Sequence, residues 1–252
     1  MIFLSGLAMA QPVGSPLKFD VASIKPADPD ARGSSIMTNR GAGLNVTNMS
    51  LRAIITFAWN IRDFQLSGGP GWIGAERYDI IAKAEGGETP GEKRSVLDEQ
   101  LRERLRSLLS ERFGFLAHYE TRDEIVYTLS VAKSGSKLTA VTVPGNRQGI
   151  STPGPGRAQG FAATMKMLLV TLSDATSRPV LDKTGLTGMY DFVLEWIPDM
   201  ANADPEGSPQ PRVTAGSTIF TALQDQLGLK LESGKGPVDI VVIDRAERPS
   251  AN

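Results

Sequence analysis

The chain is expected to be α+β: two tandem β-α-β-β-α-β-β repeats whose antiparallel sheets are covered by helices. Three observations carry this expectation. Each half holds a capped amphipathic helix that leads to a short strand, a glycine-rich turn and a strand opening Tyr-Asp. Each half then holds a second apolar-faced helix that stops at a glycine, and after it two further strand candidates. Self-similarity at this scale marks a duplicated unit, and strands mixed with helices in this order suit sheets covered on one face. A length of 252 residues accommodates two small domains or one large one.

Residues 1–16 read as a signal-peptide remnant or a disordered start. Residues 1–10 are apolar and end Ala8-Met9-Ala10, a small-x-small pattern before Gln11. The first repeat spans 17–138. Leu17, Phe19 and Val21 alternate with polar residues as an opening strand, and 25–43 is a polar loop with Pro26, Pro29 and Gly33. Behind Ser50, the apolar residues Leu51, Ile54, Ile55, Ala58 and Trp59 fall on one helical face. A strand at 64–67 and the turn Gly68-Gly69-Pro70-Gly71 lead to Tyr78-Asp79-Ile80-Ile81. The second helix carries Leu97, Leu101, Leu105, Leu108 and Leu109, with Ser95 and Asp98 as a capping box and Gly114 as a left-handed stop. Strands at 115–120 and 125–132 complete the unit.

Residues 139–157, rich in Gly, Pro and Ser, read as a linker. The second repeat spans 158–252. Thr164 precedes Met165, Leu168, Leu169 and Leu172; a strand follows at 179–182, then a turn at 184–188 and a strand from Tyr190-Asp191. After a Pro/Gly-rich loop at 198–216, Ile219, Phe220, Leu223 and Leu227 form the second helix behind Ser217, ending at Gly228. Strands at 229–233 and 238–244 close the chain.

Composition excludes several function classes. Lys plus Arg is 27 against 28 for Asp plus Glu, so the chain lacks the basic surplus that nucleic-acid binding needs. No apolar run approaches the ~18–20 residues of a membrane span. With no cysteine there is no disulfide, thiolate metal site or cysteine nucleophile, and with one histidine there is no multi-imidazole zinc site. The turn Gly68-Gly69-Pro70-Gly71 lacks the Gly-Lys-Ser/Thr ending of a phosphate loop and leads to a strand. No organic cofactor is expected.

Two constellations remain. His118 shares a strand face with Glu120, whose carboxylate is placed to orient or acidify the imidazole, so the two are the candidate catalytic residues. Metal sites in this chain must be built from oxygen, which favours calcium or magnesium. Asp28 and Asp30 in one loop, and Asp199 and Asp204 in another, are the candidate ligands, although neither loop has EF-hand spacing. Asp79 and Asp191 occupy matching strands, which points to a structural role such as bonding a nearby turn.

Several motifs together resemble a known family. They are Phe19-Asp20-Val21-Ala22-Ser23-Ile24-Lys25-Pro26, Met49-Ser50-Leu51-Arg52, Gly68 to Ile73, Arg77-Tyr78-Asp79-Ile80, Glu111-Arg112-Phe113 and Asp182 to Phe192. The chain resembles, from about residue 18 to 248, a large paralogous family of exported soil-bacterial proteins abundant in Acidobacteria of the Solibacter type. Soil-metagenome members are linked to hydrolysis of N-acyl-homoserine lactones with calcium as a helper. The resemblance therefore implies a periplasmic or secreted protein and a calcium-assisted hydrolase of small lactones or esters. The residues alone slightly favour a non-catalytic periplasmic binding or protein-interaction module, and it is the resemblance that tips the expectation to the hydrolase. The expected partner is a small-molecule ligand or lactone substrate, with neither nucleic acid nor a membrane span.

Overall fold

The computed structural model describes residues 16–39, 43–84, 94–143, 145, 147–198 and 217–249. The expected leader at 1–15, Asp199, Asp204 and the side chains of Ser95 and Leu97 lie outside the described residues. The fold is α+β with sheets that are mainly antiparallel. The chain divides into two compact units: Met1–Glu120 with Ile240–Asn252, and Thr121–Asp239.

Unit 1 is built on a sheet of order β1-β5-β3-β2, from β1 (Val21–Pro26), β2 (Ser35–Asn39), β3 (Gly43–Ser50) and β5 (Arg77–Lys83). All its pairings are antiparallel. Helix α1 (Leu51–Trp59) follows β3 directly, because Ser50 accepts the Ala53 N–H and caps it; Asn60, left-handed at φ 52°, ends it. The apolar face expected for α1 is the buried one: Leu51, Ile54, Ile55 and Ala58. These pack with Leu105, Leu109 and Phe113 of α3 (Arg94–Phe113) and with Val46, Tyr78 and Ile80 of the sheet. Tyr78 meets Phe113 edge-on at 5.3 Å between centroids. A second, smaller layer joins β4 (Leu66–Gly68) in parallel to residues 241–243 of β12 (Leu229–Arg245), with the start of β6 (Leu116–Val131) on the other side of β12. The four-residue α2 (Trp72–Ala75) interrupts the stretch between β4 and β5.

Unit 2 has a sheet of order β7-β11-β9-β8, from β7 (Thr139–Val141), β8 (Gly149–Gly154), β9 (Arg157–Thr164) and β11 (Met189–Glu195). Helix α4 (Met165–Thr176) buries Met165, Leu168 and Leu172. β10 (Val180–Asp182) pairs in parallel with residues 127–129 of β6. Helix α5 (Ile219–Ala222), capped by Thr218, runs into a π-helical turn over Leu223–Leu227 and stops at Gly228, φ 64°. Leu168, Leu172, Leu194, Leu223 and Leu229 form the centre of its core.

Four expectations change. The strand pairs expected at 115–120/125–132 and 229–233/238–244 are single long strands, β6 and β12. The polar stretches 121–124 and 232–235 read as turns because their side chains are solvent-exposed, yet the backbone stays extended through them. The expected linker at 139–157 carries two edge strands, β7, hidden because it is only three residues long, and β8, hidden by its serine, proline and glycines. The polar loop expected at 25–43 contains β2. The second helix of the later half is mostly π-helical rather than α-helical. Among the described residues no helix is long and apolar enough to cross a membrane.

Candidate functional site

Two places where chemistry gathers lie in unit 1. The first is on the paired long strands. His118, near the start of β6, meets Asp244, near the end of β12: Nδ1 lies 2.9 Å from Oδ1 and 3.0 Å from Oδ2. An ionised carboxylate only accepts hydrogen bonds, so this contact puts the imidazole proton on Nδ1 and leaves Nε2 as the basic nitrogen. The pair is about half exposed, at 54% for His118 and 47% for Asp244. The carboxylate in contact with Nδ1 is that of Asp244, a residue the strand order alone did not single out. Glu120 does share the face, but side chains two apart on a strand are separated by roughly 6.5–7 Å. A directly opposed neighbour on the next strand is only ~4.5–5.5 Å away.

The second place is a cavity of about 660 Å³ beneath the loop that joins β1 to β2. Its wall includes Asp28, Ser34, Asn48, Glu76, Arg77 and Tyr78, and its apolar part comes from Pro26, Ala27, Pro29, Ala31 and Ala75. Asn48 organises it. This residue sits in a bulge of β3, where the register against β5 shifts between Val46 and Met49, and it takes the left-handed φ of 50°. Asp79 Oδ1 accepts its backbone N–H at 2.8 Å, so the unpaired bulge donor is satisfied. Its buried side-chain amide donates to the carbonyls of Gly33 at 2.8 Å and Ala31 at 3.1 Å, tying down the loop above. Arg77 Nη1 donates to the Asn48 carbonyl at 2.9 Å and to Ser34 Oγ at 3.2 Å.

Beside it, Glu76 is gripped by Arg248, whose Nε and Nη2 donate to Oε1 at 2.9 and 2.7 Å. Arg248 also lies over the Trp72 ring, 5.1 Å from its centroid. The Tyr78 hydroxyl donates to Glu76 Oε2 at 2.9 Å. The Arg248 guanidinium, with the Tyr78 hydroxyl, holds the Glu76 carboxyl below its ordinary range. Burial of the Tyr78 ring, with Glu76 beside it, pushes the phenol up to about 12.

The candidate metal ligands are placed only in part. Asp28 Oδ1 accepts the Asp30 N–H at 2.9 Å, closing a turn in its own loop. Calcium takes six to eight oxygens, and among the described residues no three His, Asp or Glu side chains gather that could hold an ion. Asp79 and Asp191 have the structural role expected of them: Asp191 Oδ1 accepts the N–H of Ala162 at 2.7 Å, and Ala162 is left-handed at φ 43°. Sequence reasoning passed over Asp244, Asn48, Arg77, Glu76 and Arg248. One signal was present for Asp244, an acid that closes the otherwise apolar run Ile240-Val241-Val242-Ile243.

A family model described as "Protein of unknown function (DUF3738)" matches residues 52–246. No curated protein and no solved structure matches the chain.

Proposed function

The chain belongs to the DUF3738 family, and from its own side chains we propose that it is a hydrolase opening small lactones or esters, N-acyl-homoserine lactones among them. The His118–Asp244 pair carries this reading. An imidazole fixed by a carboxylate through Nδ1 offers Nε2 as a general base. Nε2 takes a proton from water as the water oxygen attacks the ring carbonyl, and Asp244 stabilises the imidazolium that forms. Collapse of the tetrahedral intermediate breaks the ring C–O bond. The imidazolium then returns the proton to the leaving alkoxide, giving a hydroxy acid. Calcium enters as a variable of the assay, through Asp28, Asp30, Asp199 and Asp204. Export to the periplasm or beyond the cell belongs to the same proposal, and cell fractionation checks it.

The test incubates the purified chain with a short- and a long-chain N-acyl-homoserine lactone, with calcium and with chelator, and follows ring opening by mass spectrometry. Loss of a positioned general base lowers turnover by roughly 10²–10⁴-fold, so His118→Gln falls by that factor and Asp244→Asn falls less. Full turnover in His118→Gln would remove the histidine from the mechanism.

The duplicated architecture is part of the proposal as well. The sheet orders β1-β5-β3-β2 and β7-β11-β9-β8 support it by placing elements of the same rank in the same position. So do the paired bulges, Asn48 on Asp79 and Ala162 on Asp191. A second functional reading, a non-catalytic binding module, is favoured by the cavity around Asn48.

A further inference from the structure

The wall of the unit 1 cavity includes Arg77, which forms no ion pair among the described residues. Arg77 uses Nη1 on two uncharged acceptors, the Asn48 carbonyl and Ser34 Oγ. Each carboxylate nearby is engaged elsewhere. Glu76 is held by Arg248 and Tyr78, Asp79 accepts from the Asn48 bulge, and Asp28 accepts from Asp30. Among the described residues none of them forms an ion pair with Arg77. A guanidinium has five N–H donors in a planar fork that suits bidentate capture of a carboxylate. With Nη1 anchored at two points, the fork is held in place before any ligand arrives.

The asparagine beneath it is there for the loop, not for the bulge. At Ala162 the same left-handed bulge forms on an aspartate with no side-chain amide at all. In unit 1 the Asn48 amide adds two bonds to the loop that roofs the cavity, while its carbonyl holds the arginine. One buried residue thus sets both the roof and the cation. The volume, about 660 Å³, is within the ~300–1,000 Å³ of small-molecule sites.

We propose that this cavity binds a small molecule with one carboxylate and a short apolar body. The carboxylate sits on Arg77, and the body lies against Pro26, Ala27, Pro29 and Ala31. A single negative charge fits better than a phosphate dianion, because Asp28 and Glu76 share the wall. The inference rests on the binding reading of the cavity and is independent of turnover at His118.

The test is calorimetric titration of the full chain with N-acetyl-L-leucine and with its neutral analogue N-acetyl-L-leucinamide. Neither carries a lactone or ester bond, so the titration reads the cavity whether or not His118 activates water. The expected result is saturable binding of the acid, tenfold or more tighter than the amide. Arg77→Gln, shown folded by its melting curve, abolishes that preference. Should Arg77→Gln fail to fold, Arg77→Lys keeps the charge without the fork and is expected to weaken the acid severalfold. Equal affinity for acid and amide, undiminished acid binding in a folded Arg77 variant, or no saturable acid binding at millimolar concentration would each overturn the proposal.

Discussion

Tyr78 keeps its ring in the core and gives its hydroxyl hydrogen to Glu76, so removing the phenolic proton would charge a buried ring and set a second anion beside the Glu76 carboxylate. Its pKa rises from the ordinary 10.0 to about 12 for that reason. A folded-state pKa above the unfolded one means the stabilisation is complete below pH 10 and is lost as pH climbs towards 12. Glu76 has the opposite sign: Arg248 lowers its pKa from 4.5, so its contribution is present above that value and fades on acidification. Of the four tyrosines, Tyr78 is therefore expected to titrate last in an ultraviolet phenolate titration, and Tyr78→Phe removes that late step. None of this cluster was legible from sequence order, since Glu76 and Arg248 are joined only by the fold. The same limit applies to His118. Glu120 was the visible neighbour, but only the strand pairing puts Asp244 opposite the ring. The aspartates of the two bulges were legible, because each follows a tyrosine in a strand that comes after a glycine-bearing turn, and a pattern met twice suggests a structural duty.

The helices and their ends were the most readable elements, because a 3.6-residue apolar period, a capping hydroxyl and a terminal glycine are all local signals. Gly114 and Gly228, read as left-handed stops, have φ values of 54° and 64°. Their surroundings differ, and this separates two substitutions. A Cβ at Gly228 would lie 2.0 Å from the Gly135 carbonyl oxygen, a backbone atom fixed in the turn that packs there. A Cβ at Gly114 would meet the Glu247 side chain at 3.3 Å, and that side chain can swing away. Gly114→Ala is expected to cost the ~1–2 kcal/mol of left-handed strain, and Gly228→Ala clearly more, in urea unfolding. Similar losses for the two would mean that the Gly135 contact gives way freely. The long strands were misread because a strand exposed on both faces carries the same polar composition as a turn.

At the scale of the molecule, the order of residues and the order of packing part company. A division at the 139–157 stretch would leave residues 1–138 without the β12 segment that pairs with β4, and residues 139–252 without the β6 segment that pairs with β10. Neither fragment then contains a whole unit. Separately expressed, fragments 1–138 and 139–252 are expected to lack a cooperative melting transition, and their mixture to regain one with native circular dichroism. Independent cooperative melting of either fragment would show that its missing strand is dispensable. Sequence reading could not anticipate this, because hydrophobic pattern specifies a strand but not its neighbour.

The late strand of unit 1 also sets a timetable. Unit 2 is one uninterrupted stretch, Thr121–Asp239, whereas unit 1 is completed by residues from 240 onward. In chain order unit 2 is complete at residue 239, while unit 1 still lacks the segment of β12 that pairs with β4. The amino-terminal part folds first in the usual vectorial order, but here unit 1 cannot be completed before all of unit 2 has been synthesised. The helices and main sheet of unit 1 wait with the edge of β4 open until residues 241–243 are made, and the His118–Asp244 pair forms no earlier than Asp244 itself.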